Sequence, residues 1–239
     1  MRSVIHRANT RGEANYGWLH TRHTFSFAAY YNPKRMQFGA LRVLNDDLVA
    51  PGAGFELHPH ENMEIITIPL FGTLEHQDDM GNLSDIRKGE IQIMSAGTGI
   101  RHEEYNQSQT EEVKFLQIWI LPRIFNIKPR YDQKSFNLAD RKNRLQLIVS
   151  PEENNESMLW INQDAYVSMG NLDDAIEVKY EINIKDNCVY LFVIDGNCYV
   201  GDALLNKRDG LGICKKTINI LSTSSNTELL LIEVPKAHP

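Results

Sequence analysis

Two short pieces bracket the sequence between Phe55 and Tyr105: Glu56-Leu57-His58-Pro59-His60 at one end and Ile100-Arg101-His102-Glu103-Glu104 at the other. Each carries two metal-capable side chains at i and i+2. In a β-strand alternate side chains leave the same face, so His58 projects with His60, and His102 with Glu104. Two such strands lying side by side would enclose one ion between three imidazoles and a carboxylate. This nitrogen and oxygen set suits iron, zinc, nickel, copper or manganese better than a thiolate-seeking ion, and it leaves room for an exogenous ligand. A single H-x-H is weak evidence, because surface histidines pair by chance. Their distribution is more telling: seven of the eight (His6, His20, His23, His58, His60, His76, His102) fall in the first 102 residues, and the eighth is His238.

The residues around these pairs predict short strands. Pro59 cannot donate a ladder hydrogen bond, so the strand holding the first pair lies at a sheet edge or is just beginning. Glu64–Leu70 (EIITIPL) reads as a buried strand, Phe71-Gly72 as a turn, and Thr73–Asp78 (TLEHQD) as its partner. Met80-Gly81-Asn82 turns again, Lys88-Gly89-Glu90 leads into Ile91–Met94, and Val113–Leu121 closes the series. Gly97-Thr98-Gly99 has neither the third glycine of a dinucleotide fingerprint nor a following Lys-Ser/Thr, so it reads as a tight turn before His102. Upstream, His23–Leu44 alternates around Asn32-Pro33, predicting two strands joined by a turn, with loops at Asn45-Asp46-Asp47 and Pro51–Gly54. Turn signals at roughly eight- to twelve-residue intervals point to a β-sandwich or small barrel.

At 239 residues the chain suits two domains, with one large β-domain as the alternative. The basic, Pro-punctuated segment Pro122–Lys142 reads as their connection, giving domains at residues 1–135 and 140–239. Beyond it the earlier rhythm returns: LFVIDGNCYV resembles ITIPLFGTLEH, Arg208-Asp209-Gly210-Leu211 stands where Lys88-Gly89-Glu90 stood, and TELLLIEV corresponds to VKFLQIWI. The second copy lacks the histidines, so it is expected to be metal-free. A net charge of −6 without a basic patch argues against a nucleic-acid partner. No apolar run approaches the ~20 residues that cross a bilayer, and the N-terminus does not read as a secretory signal, so a cytoplasmic protein without membrane contact is expected. Cys188, Cys198 and Cys214, an odd number without metal-type spacing, read as reduced, mostly buried thiols.

The motifs HTFSFAAYYNP, LRVLNDD, GFELHPHENMEI, GTLEHQDDMGN and GEIQIMSAGTGIRHEEYN together resemble the pirin family, densely over residues 10–135 and loosely afterwards. The resemblance implies an all-β bicupin, two jelly-roll-like cupin β-barrel domains in one chain. It further implies one metal in the N-terminal cupin, held at the positions of His58, His60, His102 and Glu104. Fe(II) is the first expectation, with Zn, Ni, Cu, Mn or Co as alternatives. The similarity is greatest to bacterial pirins with quercetin 2,3-dioxygenase activity, which implies a planar flavonol and O2 as substrates. Glu104, a carboxylate at the metal within reach of a substrate hydroxyl, is the expected catalytic base, and a monomer is expected. The competing implication is a non-enzymatic pirin acting through a protein partner. Glu64, counted in strand alternation from His60, is expected to support a ligand imidazole, and His76 is a second such candidate. Gln92, Met94, Phe27, Gln117 and Trp119 are candidates for the pocket walls.

Overall fold

The computed structural model describes residues 3–153 and 155–236; His238 lies outside them. The first half contains β1 (Val4–His6), β2 (Gly12–Asn15), β3 (Leu19–His23), β4 (Leu41–Val49), β5 (Gly54–His60), β6 (Glu64–Phe71), β7 (Thr73–Asp78), β8 (Leu83–Arg87), β9 (Glu90–Ser95), β10 (Ile100–Asn106), β11 (Val113–Ile120) and β12 (Arg130–Ser135). The second contains β13 (Leu145–Ser150), β14 (Leu159–Trp160), β15 (Tyr166–Leu172), β16 (Glu177–Glu181), β17 (Asn187–Asp195), β18 (Asn197–Val200), β19 (Ala203–Asn206), β20 (Gly210–Ile213), β21 (Thr217–Ser222) and β22 (Thr227–Pro235). Among the described residues the only helices are two short 3-10 turns, so the fold is nearly all-β, and no helix is long and apolar enough to cross a membrane.

The strands form four sheets, two per unit, and their order repeats. The seven-stranded β12-β9-β6-β11-β4-β3-β2 is echoed by β1-β20-β17-β22-β15-β13-β14, and the four-stranded β5-β10-β7-β8 by β16-β21-β18-β19. Two cupin-type units of one topology therefore follow each other, jelly-roll-like rather than closed barrels. The repeats noted in the sequence align as expected, β17 and β18 with β6 and β7, β20 with β9, and β22 with β11.

The boundaries differ from the expected 1–135 and 140–239. One unit comprises Gly12–Gln37 and Leu41–Phe136; the other takes Asn137–Pro239 together with Met1–Arg11 and Phe38–Ala40. β1 accounts for the N-terminal exchange: Val4, Ile5 and His6 pair with Gly212, Leu211 and Gly210 at the edge of the C-terminal sheet. Nothing local in a three-residue strand states which open edge it will join. The segment Pro122–Lys142, expected as a connection, contains β12, since Arg130–Ser135 pairs along β9 from Ser95 to Glu90. β12 is a polar edge strand held by backbone bonds on one side only, so apolar alternation does not mark it. Within His23–Leu44, expected as two strands joined by a turn, residues 24–40 are instead largely irregular, organised by Ser26 with Asn32 and by the Arg42 guanidinium, which donates to the Ser26 and Met36 carbonyls.

The two units fill their interiors differently. In the metal-candidate unit apolar clusters join the sheets at two ends: Leu74 meets Leu19, Val49, Val113 and Phe115 at one, and Ile100 meets Ile65, Met94 and Ala96 at the other. Polar side chains occupy the space between. In the C-terminal unit one continuous cluster fills the interior, including Val178, Tyr180, Ile218 and Ile220 on β16 and β21, the counterparts of β5 and β10. Each fully buried Leu, Ile or Val contributes about 1.5–3 kcal/mol. Where the first unit places histidines, the second places core.

The cysteine expectation is corrected. Cys188 and Cys214 form a disulfide, Cα atoms 4.3 Å apart, one position beyond the Val189–Ile213 pair of β17 and β20. The 26-residue separation hides the pairing in the sequence; the β17–β20 register makes them neighbours. Cys198 is free and buried, and burial, followed by the charge of Asp209, pushes its thiol up to about 12. Unfolded without reductant, the protein is expected to titrate one thiol, and three after reduction. Three without reductant would refute the bridge. Its loss should lower stability by about 3 kcal/mol in chemical denaturation.

Candidate metal centre

β5 and β10 run antiparallel, with His60 opposite Ile100 and His58 opposite His102. β5 is the edge strand of its sheet, as Pro59 requires. The register slips between His102 and Glu104, which stand opposite His58 and Phe55, so one extra residue bulges on β5 beside the site. Gly54 permits this approach, since a Cβ there would lie 2.3 Å from the Glu104 carbonyl oxygen. At the far end of β10, Gly97 at φ +46° turns the chain as expected, with a Cβ position only 2.0 Å from the Ile127 oxygen.

The three imidazoles converge. Ring centroids are 4.8 Å apart for His58 and His60, 4.4 Å for His58 and His102, and 4.9 Å for His60 and His102, and one nitrogen of each lies within 4.8 Å of the others. Glu104 falls in a second triplet, with His76 and His102, on the same spacing. His102 is the member common to both.

Hydrogen bonds determine which nitrogens are free. His58 donates through Nδ1 to the Glu56 carbonyl at 2.7 Å, leaving Nε2 to bind. His76 Nε2 lies 3.3 Å from Asp78 Oδ2. An ionised carboxylate only accepts, so that nitrogen carries the hydrogen and His76 Nδ1 is an acceptor. His102 Nδ1, 3.3 Å from His76 Nδ1, must then donate, which leaves the lone pair on His102 Nε2. That atom is buried and has no hydrogen-bond partner. A buried nitrogen without a partner costs about 1–3 kcal/mol, and a metal ion among three imidazoles removes the deficit. The residues present therefore fit a divalent transition metal. Both His76 nitrogens are engaged, so His76 supports rather than ligates.

The electrostatics agree. Burial, and then the charge of His58, brings His60 down to about 4; burial, and then the charges of His58, His60 and His76, brings His102 down to about 2. Both rings are neutral near neutrality, the form that ligates. Burial pulls the Asp78 carboxyl upward, but bonds from Asn82 and His76 outweigh it and hold it below the ordinary range. Burial pushes the Glu104 carboxyl up, against His76 and the hydrogen bond from Gln117.

Glu104 is held at both oxygens. Thr67 Oγ1 donates to Oε1 at 3.4 Å and Gln117 Nε2 to Oε2 at 2.8 Å. The Trp119 indole can only donate, and it does so to Gln117 Oε1 at 3.2 Å, which fixes the amide with its nitrogen toward Glu104.

Glu64 lies on the other face of β6. Ile65 packs in the apolar cluster against Trp119 and Thr67 donates to Glu104, so both face the site, and Glu64, alternating with them, faces away, its Oε2 accepting from Ser95 Oγ at 2.7 Å. Alternation from His60 does not carry over because β5 and β6 belong to different sheets, and Asn62 between them has φ +48°. Sequence reading missed Asp78, two residues after His76, and Tyr131, whose ring lies 4.7 Å from that of His76. An H-x-D pair on one strand was the available signal for the first; nothing local indicated the second. Asp78→Asn should weaken metal binding about 10–100-fold, because the amide can present a donor to His76 Nε2 and unset the relay. Titration of metal into the apo-protein reads this, and an unchanged affinity in a variant with unchanged metal-free melting would show that the relay does not matter.

A cavity of about 680 Å3 opens onto His58, His60 and Glu104, within the range of small-molecule sites. Phe27, Gln117 and Trp119 line it as expected, with Tyr16, Trp18 and Phe55. Gln92 and Met94 are buried but do not line it, Met94 instead packing with Ile65, Ala96 and Ile100.

The family described as Pirin matches residues 4–120, and the one described as quercetinase C-terminal cupin domain matches residues 147–234. Among curated proteins the chain is 44% identical to a quercetin 2,3-dioxygenase of Escherichia coli K12 over 231 residues, covering 97% of this chain and 98% of that one. The crystal structure of E. coli YhhW superposes with a TM-score of 0.93 at 43% identity over the full length of both chains. The structure of the bacterial pirin YhhW in complex with nickel(II) superposes at 0.91 and 42% identity, covering 98% and 99%.

Proposed function

The chain belongs to the pirin family, and from that premise we propose that it is a metal-dependent dioxygenase that opens the heterocycle of a flavonol such as quercetin. The observation that carries this reading is the aromatic-lined cavity ending on His58, His60 and Glu104. A surface for a protein partner would need no such recess.

A divalent transition metal held by His58, His60, His102 and Glu104 would supply Lewis acidity toward a substrate hydroxyl and redox access to dioxygen. The chain supplies the rest. His58, through the Glu56 carbonyl, and His102, through His76 and Asp78, are held in the tautomer that presents Nε2. Phe27 and Trp119, edge-to-face at 5.3 Å, offer a wall against which a planar ring can lie while water is excluded. Glu104, lifted by burial, accepts the proton of the flavonol 3-hydroxyl on one carboxylate oxygen, and the amide of Gln117 steadies the group as its charge is neutralised. The enolate so formed is the electron-rich species that dioxygen attacks.

Nickel(II), named for the E. coli pirin, and Fe(II) are both consistent with this donor set. One chain provides every residue of the site, so a monomer is sufficient. In the cytoplasmic setting expected from the sequence, the Cys188–Cys214 bridge would meet thiol reductants. The test is oxygen uptake by protein purified without oxygen and loaded separately with iron or nickel. Uptake stoichiometric with ring-opened flavonol is the expected result; none with any metal and any flavonol would refute the reading.

A further inference from the structure

Across the cavity from the histidines, three strands of the larger sheet place polar side chains in register. Thr21 on β3 stands opposite Asp47 on β4, His23 opposite Asn45, and Asn45 in turn opposite Gln117 on β11. All five line the cavity, and all but Gln117 are buried. Apolar residues bound this band on both sides along the same strands, Leu19, Val49 and Val113 at one end and Val43 with Trp119 at the other. A sheet face that alternates toward a core ordinarily carries apolar side chains here, as Leu19 and Val49 do. A polar band inside a buried face costs stability unless something pairs with it.

Most of the band is paired internally. His23 Nδ1 lies 3.0 Å from Asn45 Oδ1, and Gln117 is committed to Glu104 and Trp119. Asp47 is the exception. Only 4% of the residue is exposed, yet its Oδ1 has no hydrogen-bond partner. Burial raises its carboxyl most, Thr21's hydrogen bond pulls it back, and the charges of Asp46 and Glu104 add to the rise, leaving it at about 7.

We propose that Asp47 is a specificity-determining residue: its free oxygen pairs with a ring hydroxyl of the bound substrate remote from the metal-binding end, so that the cavity selects polyhydroxylated planar aromatics over the same ring system without hydroxyls. The proposal rests on the flavonol reading above and adds the substrate feature that is recognised. The aromatic walls hold any flat ring of suitable size, whereas an unfilled buried carboxyl oxygen penalises a ring that cannot reach it. Asp47 is not assigned a part in proton transfer.

Direct binding to metal-loaded protein, read by quenching of tryptophan fluorescence, separates the possibilities. The two probes are quercetin, with its dihydroxyphenyl ring, and the flavonol with an unsubstituted phenyl ring. Wild type is expected to bind quercetin about tenfold more tightly, the scale of one hydrogen bond to an ionisable group. Asp47→Leu, of similar size, should abolish that preference by weakening quercetin alone, while Asp47→Asn, whose amide oxygen still accepts, should keep most of it. Thermal melting checks that each variant is folded. Equal weakening of both probes in Asp47→Leu, or a preference that survives it, would overturn the proposal and leave the flavonol reading standing. Failure of both probes to bind wild type would overturn the two together.

Discussion

A chain carrying His58→Ala with His102→Ala is expected to retain less than about a tenth of the wild-type metal after dialysis. Loss of an outer-shell partner alone costs about 10–100-fold in affinity, and here two direct donors go, so the combined effect should exceed about 1,000-fold. No other place in the described residues offers a refuge. The C-terminal positions that correspond to the ligand strands carry Val178, Tyr180, Ile218 and Ile220, packed into a continuous apolar cluster. Full-length variant and wild type should therefore differ by nearly the whole metal content, measured per chain by elemental analysis. Unchanged content would mean that the convergent imidazoles, for all their geometry, are not where the ion sits. The metal-free proteins should differ in melting chiefly through the buried His102, because His58 is only half-buried. Removing the His102 ring leaves a void beside His76, which sets the expected residual difference.

The second large effect is at Glu104. Glu104→Gln preserves the size of the side chain and one oxygen donor but removes the negative charge that accepts the substrate proton. Turnover should fall by about 100- to 10,000-fold, the span attributed to a positioned general base, while metal content changes by no more than a few-fold. Gln117 can still donate to the remaining amide oxygen, and the Thr67 hydroxyl can turn to accept from the new amide nitrogen, so the fold around the site should persist. Oxygen consumption and ring-opened product should decline in parallel. A Glu104→Gln enzyme as fast as wild type would remove Glu104 from proton transfer and leave it at most a ligand.

The sequence by itself carried the local part of this protein. Two i, i+2 pairs on extended segments were enough to place four candidate donors, because strand alternation is a covalent consequence of the backbone and needs no tertiary information. The repeated order of strands and turns was legible for the same reason, and so was the absence of imidazole from the second copy. Pro59 announced an edge strand through its missing N–H.

What required the tertiary structure was everything that depends on which strands become neighbours. Glu64 was misplaced because alternation was carried through a change of sheet. Asp47, 11 residues before His58, and Tyr131, 29 residues after His102, enter the site's surroundings only through sheet packing. Cys188 and Cys214 met through the register of β17 and β20. β1 joined the sheet of the other half because an open edge satisfies any strand's backbone groups, whatever its side chains. Side-chain periodicity encodes which face a residue takes within one strand; hydrogen-bond register and sheet packing, which are non-local, decide what that face meets.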